Sequence, residues 1–172
     1  MNYADIRPVD VANGPGVRVS LFVSGCTHHC RECFNPETWD FHYGAPFTQV
    51  EADAILKHLE PGYIKGLSLL GGEPFEPENQ PAVLDLVRQV RAHYPHKDVW
   101  CYSGYLFEQL RDGKVGALSR ALLEQLDVLV DGPFVIEQKE LSLRFRGSAN
   151  QRLIDVPESL KRGEVVLWNK CE

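Results

Sequence analysis

The chain has 172 residues, with 18 Lys and Arg against 24 Asp and Glu, for a formal charge of −6. That length suits a single domain over 1–172 with a real core, and it falls short of a complete eight-fold barrel of strands and helices, which takes about 250 residues. The acidic balance argues against general binding to nucleic acid or to an anionic membrane, because both depend on surplus positive charge.

In chain order, Met1 to Arg7 lacks an apolar secretory stretch, and the longest apolar runs are far below the roughly 20 residues of a membrane helix, so a cytoplasmic protein is expected. Val17–Val23 alternates and is rich in branched residues, which predicts a strand ending at Ser24-Gly25. Thr48-Gln49-Val50-Glu51 has the form of a capping box, and Ala54, Ile55, His58 and Leu59 follow at helical spacing up to Pro61-Gly62. Residues 65–70 form a short apolar run suited to a buried strand, broken by Gly71-Gly72-Glu73-Pro74. Val83, Leu84, Leu86, Val87 and Val90 predict a helix from near Pro81 that fades by Tyr94-Pro95. A third strand follows over 98–102 and is closed by Ser103-Gly104. Leu106, Leu110 and 118–126 carry helical patterning around Asp112-Gly113. A fourth strand over 127–130 stops at Asp131-Gly132-Pro133. Beyond Phe134 the rhythm weakens, with 164–168 a candidate edge strand and no role evident for the tail from about 156.

Strand alternating with helix implies an α/β fold with mostly parallel strands, and the length confines it to an incomplete βα barrel. In such sheets ligands bind beyond the carboxyl ends of the strands. The cysteine-rich stretch after Gly25, Gly71-Gly72-Glu73-Pro74, Ser103-Gly104 and Asp131-Gly132-Pro133 all fall there.

The five cysteines are an odd count, and Cys26, Cys30 and Cys33 sit within eight residues. Clustered thiols in a reducing compartment point to metal or redox chemistry rather than a disulfide framework. A structural zinc would need a fourth ligand from His28, His29, Cys101 or Cys171. A 4Fe-4S cluster held by three thiolates leaves one iron open to a small molecule, and the absence of a nearby fourth thiol favours that arrangement. Gly71 and Gly72 allow close backbone approach to a ligand, Glu73 adds an acceptor, and a tight turn before Pro74 is the plain alternative. Ser103 suits a ribose or carboxylate, or simply a helix start. Asp131, at the end of an apolar strand, needs a partner: a cofactor, a cation or a structural turn.

The triplet Cys26, Cys30, Cys33 resembles the signature of radical S-adenosylmethionine enzymes, and Gly71-Gly72-Glu73-Pro74 resembles their second motif. Within that superfamily the chain resembles the glycyl-radical activases of anaerobic ribonucleotide reduction. That likeness rests on Asn13-Gly14-Pro15-Gly16-Val17-Arg18, Phe34-Asn35-Pro36-Glu37-Thr38-Trp39, Val130-Asp131-Gly132-Pro133-Phe134 and Arg146-Gly147-Ser148-Ala149-Asn150-Gln151. Where many radical enzymes carry an aromatic residue before the third cysteine this chain has Glu32, which leaves Phe34 as the substitute for stacking on adenine.

The resemblance implies that Cys26, Cys30 and Cys33 hold one 4Fe-4S cluster and that S-adenosylmethionine is cleaved reductively to methionine and a 5'-deoxyadenosyl radical. Glu32, Cys33, Phe34, Gly71, Gly72, Glu73, Ser103 and Asp131 are the candidate cofactor-binding residues. No catalytic side chain is expected beyond cluster and cofactor, which carry the chemistry themselves. The implied protein substrate is the large subunit of an anaerobic ribonucleoside-triphosphate reductase, and the implied electron donor is reduced flavodoxin. Other readings are an activase of another glycyl-radical enzyme such as pyruvate formate-lyase, a small-molecule carbon-insertion enzyme, or a zinc-stabilised binding module.

Overall fold

The structure, a computed structural model, describes residues 1–170, so Cys171 lies outside the described residues. Its strands are β1 (Asn2–Asp10), β2 (Val17–Val23), β3 (Ala45–Pro46), β4 (Ile64–Gly71), β5 (Asp98–Tyr102), β6 (Val128–Asp131) and β7 (Arg152–Asp155). Its α-helices are α1 (Gln49–Leu59), α2 (Gln80–His93), α3 (Phe107–Arg111), α4 (Ser119–Leu123) and α5 (Val156–Arg162). The strands make one open sheet in the order β3-β1-β2-β4-β5-β6-β7. The four central strands are parallel. Both edges are antiparallel, with β1 and β3 on one side and β7 on the other. The sheet does not close into a barrel.

Alternation along the strands separates two faces. Val19, Leu21 and Val23 of β2, Leu67 and Leu69 of β4, Val99 and Cys101 of β5, Leu129 of β6 and Ile154 of β7 join one apolar core with buried residues from all five helices. The α1 start is fixed as the sequence predicts: the Thr48 hydroxyl accepts from Val50 N–H, and Glu51 reaches back to the Thr48 N–H at 2.6 Å. The alternate residues, Arg18, Ser20 and Phe22, Ser68 and Leu70, Trp100 and Tyr102, face the other side. There Trp100, Val128 and Val130 form a second, smaller apolar group with Tyr102, Phe145, Leu153 and Trp168. Trp100 meets Phe145 and Trp168 edge-on, with ring centres 5.4 and 5.0 Å apart.

Polar bonds hold the far end of this inner face. Arg18 is fully buried and donates to Ser68 Oγ at 2.7 Å, to the Leu67 carbonyl at 3.0 Å and to Asp98 Oδ1 at 2.5 Å. Asp10 accepts from Ser20 Oγ at 2.6 Å, Asn13 Nδ2 at 2.7 Å and Ala12 N–H at 2.8 Å. Burial alone would raise the Asp10 pKa, but these three bonds outweigh it and hold the carboxyl below its ordinary range. A depressed native pKa means stability that is present above the unfolded value of about 3.9 and is lost as pH falls through the native one. Urea titrations of wild type and Asp10→Asn are therefore expected to show a stability gap at pH 7 that narrows on acidification below about pH 4.

Candidate iron–sulfur site at the carboxyl ends of the parallel strands

The four segments singled out in the sequence lie side by side at one edge of the sheet, because β2, β4, β5 and β6 run in the same direction. They surround a cavity of about 700 Å³ walled by Cys26, Cys30, Cys33, Phe34, Gly71, Gly72, Glu73 and Ser103. Inner-face residues Phe22, Leu70, Tyr102 and Val130 continue the wall down the sheet. Cys26 is buried, Cys30 and Cys33 are half-buried, and all three are free thiols. Cys101 is a buried free thiol on the helix-covered face, and it is not among the residues walling the cavity.

The cysteine loop is tightly wound. His29 and Glu32 adopt φ of 48° and 60°, left-handed conformations that are costly for residues with a side chain. Three contacts hold it. Cys26 N–H donates to the Trp39 carbonyl at 3.2 Å, the His29 ring stacks on Trp39 at 4.4 Å, and buried Glu76 accepts from both the backbone and the hydroxyl of Thr27. The loop also packs against the two-glycine motif. Gly72 N–H donates to the Val23 carbonyl, Glu73 N–H donates to that of Gly25, and a Cβ on Gly72 would stand 2.7 Å from the Gly25 carbonyl oxygen. Gly71, at φ 107°, makes the turn that brings this about.

Glu73 is buried and fully engaged. Its Oε1 lies 2.8 Å from His28 Nε2 and accepts from Gly104 N–H at 2.7 Å, Ser103 Oγ is 3.0 Å from both oxygens, and Phe75 N–H donates to Oε2 at 2.9 Å. One carboxylate thus joins the cysteine loop to the ends of β4 and β5. Burial alone would lower the His28 pKa, but the hydrogen bond and charge of Glu73 outweigh it and favour the imidazolium. Burial, reinforced by the Glu73 charge, pushes the Cys26 thiol up to about 12, and burial raises Cys30 as well. In metal-free protein both stay protonated at neutral pH, and metal binding would release their protons.

Two predicted residues stand apart from the cavity wall. Glu32 is exposed. Asp131 is fully buried, but its oxygens accept from Arg152 Nε at 3.0 Å, Arg152 Nη2 at 2.6 Å and Phe107 N–H at 2.8 Å. Arg152 also grips Glu108, so the group ties β6, β7 and the start of α3 together. Glu76 and Tyr102 are the site residues that sequence reasoning missed, and His28, weighed there only as a possible zinc ligand, pairs with Glu73. Strand parity carries the signal for Tyr102, since its neighbour Cys101 faces the core.

The donor set fits an iron–sulfur cluster. Three free thiols wall one cavity, and the Asn35 N–H already points at Cys33 Sγ, 3.4 Å away, the kind of bond that tunes a cluster's sulfurs. Among the described residues no three His, Cys, Asp or Glu side chains stand close enough to share one metal ion. A four-iron cluster bonds each thiolate through a different iron and so accepts sulfurs set further apart.

The match to known proteins agrees with this donor set. Residues 12–154 match the family model described as a 4Fe-4S single cluster domain, which defines the class: an iron–sulfur protein with one cluster. The chain is 48% identical over 153 residues to the anaerobic ribonucleoside-triphosphate reductase-activating protein of Vibrio cholerae, covering 88% of this chain and 96% of that one. It is 45% identical to the Escherichia coli K12 protein of that name, with the same coverage. It is also 41% identical to that of Enterobacteria phage T4, over 89% of this chain and 93% of the phage protein. The chain belongs to the family of anaerobic ribonucleoside-triphosphate reductase-activating proteins.

Proposed function

We propose that this protein activates an anaerobic ribonucleoside-triphosphate reductase by generating a glycyl radical on its large subunit, as a radical S-adenosylmethionine oxidoreductase. The observation that carries the reading is the set of three free thiols walling one cavity at the carboxyl ends of parallel strands, in a chain 41% or more identical to proteins named for that activation. Cys26, Cys30 and Cys33 would hold the 4Fe-4S cluster, which when bound supplies the electron that cleaves S-adenosylmethionine.

The rest falls to the protein's own groups. Gly71 and Gly72 bring backbone to the cavity wall, where carbonyl oxygens accept from the ammonium of the methionine moiety. Glu73 acts through position: with both oxygens engaged it fixes Ser103, Gly104 and His28 around that end and contributes its negative charge. Phe34, exposed at the rim, offers a face for adenine. Asp131 serves the site by holding β6 and β7 in register through Arg152.

The open side of the sheet, an incomplete barrel in effect, leaves room for a polypeptide segment as substrate, whereas a small-molecule enzyme encloses most of its ligand. We read the whole chain, 1–172, as one working domain, cytoplasmic, with reduced flavodoxin as its electron donor. Among the described residues no helix is long and apolar enough to cross a membrane.

The test is anaerobic incubation of cluster-loaded protein with the reductase, S-adenosylmethionine and reductant, read by electron paramagnetic resonance. A glycyl doublet on the reductase is the expected result. Cofactor cleavage without that doublet would assign the protein to another substrate, and a colourless protein with one tight zinc would end the radical reading.

A further inference from the structure

We propose that the compact loop between Gly132 and Gln151 is the element that recognises the partner protein, with Leu141 as the anchor that enters an apolar site on it. The proposal rests on the reading above that the partner is the reductase.

The loop is built, not slack. Gln151 closes its base, donating to the Gly132 carbonyl at 3.0 Å while its Oε1 accepts from Gly147 N–H at 2.9 Å and Ser148 N–H at 3.2 Å. Asn150 adds a bond to the Pro133 carbonyl at 2.8 Å, and Ala149 N–H pairs with the Gln138 carbonyl at 2.9 Å. These residues come from Arg146-Gly147-Ser148-Ala149-Asn150-Gln151, so that motif has a structural task as a clasp. The loop is also latched to the cysteine loop. Arg31 pairs with Glu137, the Phe34 and Phe134 rings lie 4.9 Å apart, and Lys139 Nζ sits 5.5 Å over the Phe34 ring.

Ordering such a segment costs chain entropy, and here the ordered backbone presents apolar groups to solvent. Leu141 is 91% exposed and Phe34 is 61% exposed, and neither joins the two apolar groups of the fold. Scattered exposed leucines are ordinary on protein surfaces. Leu141 differs by its place, since it walls the same cavity as the three thiols, beside Leu143 and Phe34. A polypeptide segment that delivers its reacting residue into that cavity has to cross this rim, so side chains flanking the residue meet Leu141. The occupant this fits is an extended segment of the partner with an apolar side chain near its reacting position, gripped by an anchor in a surface loop.

The experiment compares full-length, cluster-loaded wild type, Leu141→Asp and Leu141→Met. It measures the Kd for the reductase by titration calorimetry and both KM and kcat for glycyl-radical formation. Leu141→Asp is expected to raise Kd and KM about ten-fold, equivalent to about 1.4 kcal/mol, with kcat changed far less, the signature of lost binding rather than lost chemistry. Leu141→Met, close in volume, should restore wild-type affinity. An exposed side chain makes no core contact, so thermal unfolding should be the same in all three. Wild-type Kd and KM in Leu141→Asp would overturn the proposal while leaving the functional reading intact. A wild-type protein that neither binds nor activates the reductase would overturn both.

Discussion

Anaerobic reconstitution of Cys26→Ala, Cys30→Ala or Cys33→Ala is expected to give colourless protein, where wild type takes up about four irons and four sulfides per chain. Among the described residues these three thiols are the whole thiolate set around the cavity, so each removal drops the site below what a cluster with one open iron needs. Cys101→Ala is the matched control. Its thiol is buried on the helix-covered face, where desolvation holds it protonated well above the ordinary cysteine range. That variant should keep its brown colour and full iron content and lose only the small packing contribution of one sulfur. Iron and sulfide assays with the visible spectrum decide the matter. Cluster loss in a folded Cys101→Ala protein would show that the ligand set had been misassigned.

The second large effect is on stability. Arg18→Ala should lower unfolding free energy by about 3 kcal/mol, the lower end for breaking a buried ion pair. The lower end applies because the Asp98 side chain retains 25% exposure and recovers some hydration. Against a typical total of about 5–15 kcal/mol, that is a large share. The cost comes from the stranded carboxylate, which burial already pushes toward its neutral form against the pull of Arg18. Arg18→Met with Asp98→Asn should therefore regain most of the loss in urea denaturation. A structural effect accompanies it. Arg18 holds Ser68 Oγ, which donates to the Asn13 carbonyl at 2.6 Å, and Asn13 walls the main cavity. Loss of the arginine should loosen that wall from the far end of the sheet.

The parallel centre of the fold was legible in the sequence because each central strand is apolar on its helix-covered face and ends at a glycine, or just before one. β2 and β5 occupy the predicted residues, and β4 and β6 differ by one residue at each end. β1 was not legible. β3 covers only its first two residues, Pro8 lies in the uncovered half, there is no run of branched residues, and its main pairing comes from β2 rather than from its own pattern. β7 has four residues and pairs antiparallel with β6 across an irregular loop, a long-range partnership that no local signal announces. Hence the expectation of mostly parallel strands holds for the centre, and the edges depart from it.

At the site, the cysteine spacing and the two glycines placed themselves, because both sit where a strand must stop. Asp131 did not. A carboxylate at a strand end reads the same whether it faces a ligand or an arginine, and here the arginine stands 21 positions further on, in a strand the sequence does not reveal. The His28–Glu73 pair was hidden for the same reason, since it joins residues 45 positions apart through the meeting of two strand ends.

The two-faced sheet also divides the work of evolution. Along β2 the residues Val19, Leu21 and Val23 answer to the helices, while Phe22 between them answers to whatever occupies the cavity. Changes at the first set bear on the core, and a change at Phe22 bears on the cavity. Because the two sets interleave at every other position, deletion of one residue in β2 would exchange them wholesale. Specificity in this scaffold can drift by single substitutions, but its central strands tolerate no change in length.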